Sequence, residues 1–544
     1  MQNKFILIFI LLVLSPTASS RATFQTQAPL YIIGEVEGAL VALEAKLKKH
    51  QLIDAQSNWI GGKSHLISLG DMVSDNYAGL ASNEKVLKLI QKLQQQAEIA
   101  GGKIHYLLGD YELKALGENV IGIDLTNWLS QQKFLLQVNQ HLFTHAGIAN
   151  RIAITNLDDY NQTLSKALKK HLAKVAAKKN NPSAKSTFSK DYFWLTTKIR
   201  NAFSVEGKNK LFNWQSPVFY TGNGNCHPFL ESDLLKEQLT RLQAKTLWIT
   251  DTTREHARIQ TRLDKQLILI DSDDSFGADK KIMLAKIDGE QVSYFIDDDT
   301  NADEITTAID REWQRPFDLN DAAIEAFLQS AEITEQTETL EGRTKPLKLY
   351  LQKDGQKMKA LFKFIAKYNR RSRMKFEGAG DHYNHEMAAY KMDQLLGLGL
   401  VPMTAEREID GKKGTVQLWI DNMASALQLN EGQVRYQGYC NVEAQENLMN
   451  VFDYLIYNFD RNQTNIVFTQ HDWQIWFIDH TRSFGTPLKQ PPFQRGITLT
   501  LSDPFRKALQ RLTYEQLNQL APWLRQEQIE AIWGRRERLL NNDI

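Results

Sequence analysis

From Pro29 to about Asp273, short apolar runs alternate with longer helical or polar stretches. Six of the runs read as strands, and each stops at a polar or charged residue. Leu30–Gly34 precedes Glu35, Leu66–Gly70 precedes Asp71, and Ile104–Gly109 precedes Asp110. Leu142–Thr144 precedes His145, Leu247–Thr250 precedes Asp251, and Leu267–Ile270 precedes Asp271. Such alternation predicts a layered α/β unit. Ligands of open α/β sheets sit beyond the carboxyl ends of the strands, so these side chains are expected to line one crevice. Carboxylates gathered there with a histidine suit one or two divalent ions.

Within this first unit (27–298) a lysine-rich insertion (about 155–200) begins as a helix and breaks at Asn180-Asn181-Pro182-Ser183. Polar sequence from Asp299 to Thr344 reads as a linker with one or two helices. A second unit spans 345–502, and a helical tail closes the chain at 503–544. No internal repeat is visible. At the other end, Lys4 precedes an apolar run from Phe5 to Leu14, followed by Pro16 and Ala18-Ser19-Ser20. That layout, residues 1–22, is expected to be a cleavable export signal, because the run is too short to span a bilayer. Neither a lipid-anchor cysteine nor a later apolar segment of spanning length follows it.

The second unit holds the most informative segment, Asn458 to Val467. Asp460 is followed five residues later by Asn465 at the entry to a strand, and Trp476-Phe477-Ile478 then ends in Asp479. An aspartate that orients or deprotonates an acceptor hydroxyl, followed by an asparagine and a second aspartate on the metal, is a phosphotransfer arrangement. Upstream, Asp354-Gly355 reads as a hairpin turn and Ala360–Phe364 as the strand after it. Lys363 stands mid-strand among apolar neighbours, where a lysine is costly without a partner. A helix beginning near Glu386 carries Ala388, Met392, Leu395 and Leu396 on one face. Glu386 could pair with Lys363; a surface lysine beside an unrelated glutamate is the plainer alternative.

Charge and cysteine content add exclusions. The 544 residues include 65 basic and 64 acidic side chains, so no field favours nucleic acid or an anionic membrane as partner. Cys226 and Cys440 are expected to be isolated thiols in separate units.

The first unit resembles calcineurin-like metallophosphoesterases of the branch that includes Ser/Thr phosphatases. The resemblance runs through Gly34-Glu35-Val36-Glu37-Gly38, Gly70-Asp71-Met72-Val73-Ser74-Asp75-Asn76 and Gly109-Asp110-Tyr111-Glu112. It continues in Thr144-His145-Ala146-Gly147, Ser216-Pro217-Val218-Phe219-Tyr220 and Thr250-Asp251-Thr252. It implies metal ligands at Asp71 and His145, with Glu35, Glu37, Asp110 and Asp251 standing where other ligands are usual. Tyr111 replaces the expected leaving-group acid; an unperturbed phenol, near ~10, suits that role poorly. Asp75 and Thr221 replace two arginines that would clamp a phosphate, a severe electrostatic loss. Two readings follow: a vestigial crevice serving as scaffold, or an oxygen-rich site for Mg²⁺, Mn²⁺ or Ca²⁺.

The second unit resembles atypical secretory-pathway kinases of the Golgi casein kinase type and, more remotely, lipid kinases and bacterial toxin-type kinases. Glu386-Met387-Ala388-Ala389-Tyr390, Leu395–Leu398 with Val401-Pro402, Asp453–Asn465 and Ile478–Gly485 carry it. It implies Asp460 as base, Asn465 and Asp479 as ligands of Mg²⁺ or Mn²⁺, and Lys363 with Glu386 on the phosphates of ATP or another nucleotide. Arg461 and Arg482 also match, though structural ion pairs explain them equally well. The expected fold is therefore an α/β layered metallophosphoesterase sandwich followed by an α+β protein-kinase-like domain. The expected function is exported phosphotransfer to a protein, sugar or lipid hydroxyl, with the first unit as scaffold or regulator. A metal-dependent phosphatase and a pseudoenzyme that binds phosphorylated partners are the alternatives.

Overall fold

The computed structural model describes residues 21–75, 77–118, 121–149, 152–179, 211, 215–250, 258–272, 277–295, 319–339, 345–368, 380–470 and 472–543. Most of the export signal, the later part of the insertion, Asp251 and much of the linker lie outside them. All six expected strands form, and they divide between two sheets. One sheet runs Gln291–Phe295, Leu284–Asp288, Leu30–Ile33, His65–Ser68, Lys103–Tyr106; the last three are parallel to one another. The other runs Thr23–Phe24, Leu135–Val138, His141–Thr144, Thr246–Ile249, Leu267–Asp271, Arg258–Arg262. Leu30, Ile32, Ile67, Phe143, Trp248 and Ile270 belong to one apolar cluster that joins the sheets face to face. Side chains on the opposite faces, such as Ile33, Leu66 and Leu269, pack with helices including Leu40–Lys49 and Tyr77–Ile99. Burial on both faces explains why these strands read as unbroken apolar runs rather than alternating ones.

In the second half an antiparallel sheet is ordered Glu332–Glu338, Leu347–Lys353, Gln356–Lys363, Lys412–Leu418, Thr404–Ile409. Asp354 and Gly355 close its hairpin with φ of 52° and 79°, the left-handed pair a two-residue turn requires. Helix Asn384–Leu396 ends at Gly397 in a left-handed cap. A helical lobe with Val442–Leu455 and Gln526–Asn541 completes the unit.

Two expected boundaries change. Helix Asp321–Ser330 and strand Glu332–Glu338 fall in the span read as linker, yet the strand pairs with Leu347–Lys353 and Phe327 joins the second core. The 503–544 tail is likewise part of that core, through Phe505, Leu509, Leu517, Ile529 and Leu539. An edge strand of sequence EITEQTE is held by backbone pairing and shows no apolar alternation to betray it.

The cysteine expectation is overturned. Cys226 and Cys440, 214 positions apart, form a disulfide with Cα atoms 5.5 Å apart. Sequence distance concealed a docking of the two units. His227, next to Cys226, accepts the Phe229 amide on Nδ1 (3.1 Å) and donates from Nε2 to the Leu398 carbonyl (2.8 Å). Phe229 enters the second core against Phe505, and the Asp503 amide donates to Asp233 (2.8 Å). No helix among the described residues is long and apolar enough to cross a membrane.

Candidate functional site

The second unit assembles its crevice from the sheet's end, one helix and two loops. Lys363 ends its strand opposite Thr415, with its ammonium turned inward. Nζ lies 2.6 Å from Glu386 Oε1 and 2.9 Å from Asp479 Oδ1. Glu386, fully buried, also accepts the backbone N–H of His480 (2.9 Å). Asn465 donates to the other Asp479 oxygen (3.0 Å). Asp479 itself has φ of 60°, a left-handed conformation uncommon outside glycine and found at constrained sites.

Asp460 lies one loop away, its carboxylate accepting from Arg482 (3.0 Å) and its amide donating to Asn458 (3.1 Å). Arg482 in turn binds Asp381 through two nitrogens, at 2.7 and 3.0 Å. Arg461 braces the loop from below. It grips buried Asp453 at 2.7 and 2.9 Å and donates to the carbonyls of Asn465 (2.8 Å) and Ile478 (2.6 Å). All five residues expected from the sequence thus belong to one connected network, Asp460 joining it through Asn458, Asp453 and Arg461.

Burial alone would lower the Lys363 ammonium, but Asp479 and Glu386 reverse that and hold it above its ordinary range. Burial would raise Glu386; Lys363 and the His480 hydrogen bond instead hold its carboxyl well below. Asp479 is likewise depressed, burial being outweighed by Lys363. Each group is therefore charged at neutral pH. Asp479 and Asn465 offer oxygen donors side by side, a set that suits Mg²⁺ or Mn²⁺.

In the first unit Asp71, Asp110 and His145 converge, one ligand atom of each lying within 4.8 Å of the others. His145 Nε2 is 3.6 Å from both Asp71 Oδ2 and Asp110 Oδ1, and its Nδ1 sits 3.0 Å from the Leu69 carbonyl. Glu112, wholly buried, fixes the loops: it accepts the amides of Asp71 (2.8 Å), Met72 (2.9 Å) and Gly109 (2.7 Å) and the Tyr106 hydroxyl (2.8 Å). At Gly109 a Cβ would collide with Asp71 Oδ1, so close approach of the loops demands glycine. Burial, then the charges of Asp110, Glu112 and Glu35, holds the Asp71 carboxyl well above the usual range. Burial, Asp71 and Asp110 push the Tyr111 phenol far up.

Glu35 and Glu37 stand outside the converging group; Glu37 is ion-paired to Lys280 at 3.0 Å. Asp75, in the place of an expected arginine, pairs with Lys114 at 2.8 Å. Asp251 lies outside the described residues. The bracing role of Glu112, the Lys280 pair and Asp381 escaped the sequence reading. Only Glu112 had a signal there, as the last residue of Gly109–Glu112.

No family model matches the chain. A stretch of 90 residues is 32% identical to Shewanella-like protein phosphatase 2 of Arabidopsis thaliana, covering 16% of this chain. The chain spans only 22% of that relative's length. Among solved structures, a cold-active protein-tyrosine phosphatase of a psychrophilic Shewanella aligns over 51% of this chain and 81% of its own, at 20% identity and a TM-score of 0.38. The Golgi casein kinase with Mn and ADP bound aligns over 41% and 75%, at 14% identity and a TM-score of 0.30. The chain is therefore similar to phosphatases in its first half and to a Golgi casein kinase in its second.

Proposed function

We propose that the chain is an exported phosphotransferase that works through the second crevice, with ATP or another nucleotide as donor and a protein, sugar or lipid hydroxyl as acceptor. One observation carries the reading: Glu386, Lys363, Asp479 and Asn465 form an unbroken chain of contacts at 2.6, 2.9 and 3.0 Å. Glu386 fixes the Lys363 ammonium, which meets the donor phosphates as a positioned positive charge. Asp479 and Asn465 would hold a divalent ion, which supplies neutralisation of charge on the phosphates when bound. Asp460 takes the acceptor's hydroxyl proton as the acceptor oxygen gains the phosphoryl group and the donor keeps the bridging oxygen. Arg482 and Asp381 keep the Asp460 carboxylate oriented. The first crevice serves as scaffold or regulator, since Asp75, paired with Lys114, and Thr221 stand where two arginines would clamp a phosphate.

Replacing the base separates chemistry from binding. Asp460→Asn is expected to cut transfer about 10²–10⁴-fold while Mn²⁺ with nucleotide still raises the melting temperature. Full turnover by Asp460→Asn, or no turnover by wild type, overturns the reading. Metal-dependent phosphoester hydrolysis lost in Asp71→Ala would favour the phosphatase alternative.

A further inference from the structure

Three consecutive residues of the first unit, Asn225, Cys226 and His227, reach the second unit, and each meets the root of an element that carries a site residue. The Asn225 carbonyl accepts the side-chain amide of Gln474, the residue before strand Ile475–Phe477, which leads to Asp479. Cys226 is bonded to Cys440, just ahead of helix Val442–Leu455, and that helix opens into the loop bearing Asp460 and Asn465. His227 Nε2 donates to the Leu398 carbonyl at 2.8 Å. Leu398 follows helix Asn384–Leu396, whose first turn holds Glu386.

The three roots are tied to one another. The Phe477 amide donates to the Leu400 carbonyl (2.9 Å), and buried Asp393 accepts the amides of Leu400 (2.9 Å) and Val401 (3.2 Å). Buried Gln445, on helix Val442–Leu455, accepts the Ile475 amide (2.8 Å) and donates to the Trp473 carbonyl (3.1 Å). A close-packed, hydrogen-bonded hub of this kind is rigid, so a displacement at one root reaches the others. On the first unit's side the triplet is equally fixed. The buried Arg262 guanidinium donates to the carbonyls of Asn223 (2.7 Å), Gly224 and Cys226 (2.6 Å). Asn223 also accepts the Ile148 amide (2.7 Å), just beyond His145 of the first crevice. We propose that Asn225, Cys226 and His227 form a brace by which the first unit positions Glu386, Asp460 and Asp479, with His227 and Gln474 as positioning residues. This role rests on the phosphotransfer reading of the second crevice, which the first unit then completes. A misplacement of about 1 Å, caused far from the chemistry, can cost ~10²-fold in rate, so a remote brace can set it.

The test is equilibrium dialysis of labelled ADP with Mn²⁺ against the full chain, alongside the rate of phosphoryl transfer, on variants shown to be folded by circular dichroism. His227→Phe and Gln474→Leu each remove one contact of the brace. Each is expected to weaken ADP binding and slow transfer about tenfold or more. Asp233→Ala breaks a contact between the units that lies away from the three roots, the one to the Asp503 amide (2.8 Å). It is expected to change both readouts by less than about twofold. Unchanged ADP affinity in folded His227→Phe and Gln474→Leu would overturn the inference. An equal loss in Asp233→Ala would overturn it too, because weakened docking alone would then account for the effect. Should either brace variant not fold, Gln474→Asn, which draws the amide back by one methylene, decides. About threefold weaker ADP binding supports the brace, and binding equal to wild type overturns it. ADP binding without transfer in wild type would sink the phosphotransfer reading, while ADP affinity still decides the brace. Absence of ADP binding in wild type overturns both.

Discussion

In the second crevice each acid meets a base: buried Glu386 and half-buried Asp479 meet Lys363, buried Asp453 meets Arg461, and Asp460 and Asp381 meet Arg482. In the first, Asp71 and Asp110 meet each other and a histidine, with Glu112 and Glu35 adding negative charge. The second crevice is charge-complete before any ligand arrives, and its Glu386 and Asp479 are held below their ordinary range. The first crevice leaves Asp71 raised, so ionising it costs the fold unless a cation is present. The same residue types therefore make a set of ion pairs in one unit and a cluster of like charges around a histidine in the other.

The contrast breaks first at Arg461. Arg461→Leu leaves Asp453 buried and unpaired, and the second unit should lose about 3–5 kcal/mol in urea unfolding. Unchanged stability would mean that the ion pairs of this crevice do not complete its charge. The Cys226–Cys440 bond ties the two units together, so Cys226→Ser, or a reductant, should lower stability by about 2–5 kcal/mol. An unaltered unfolding midpoint would show that the non-covalent contacts around His227 and Phe229 hold the units unaided.

Metal should act on one side of the comparison. Free Mn²⁺ at 100 times its dissociation constant is expected to stabilise the first unit by about 2.7 kcal/mol, an increment absent from Asp71→Ala. Equal stabilisation of both proteins would place the ion elsewhere. The smallest effect concerns acid. Burial, then Lys103, holds His65 at about 4, and His105 lies 3.2 Å from it. A pKa below the unfolded 6.5 gives stability that is full above pH 6.5 and lost as pH falls toward 4. His65→Phe should flatten that slope in urea midpoints measured between pH 7 and 5; an identical slope would remove His65 from the acid response.

Much of this was legible in the chain because local pattern and local chemistry coincide there. Six strands read as apolar runs, Asp354-Gly355 specified its turn, and Lys363, read as mid-strand and found at the strand's end, demanded an acid that Glu386 supplies. What escaped depends on partners distant in sequence. Glu332–Glu338 is polar but for Ile333 and owes its strand to backbone pairing. Cys226 and Cys440 are neighbours only after two units dock. Lys280 looks like a surface lysine until the turn before it aims it at Glu37.

The most direct test of the central claim is phosphoryl transfer from labelled nucleotide by the purified chain with Mn²⁺, comparing wild type, Asp479→Ala and Asp71→Ala. Loss of transfer in Asp479→Ala by about 10²-fold or more, with transfer retained in Asp71→Ala, is the predicted result. Transfer that survives Asp479→Ala, or hydrolysis that depends on Asp71 alone, would contradict it.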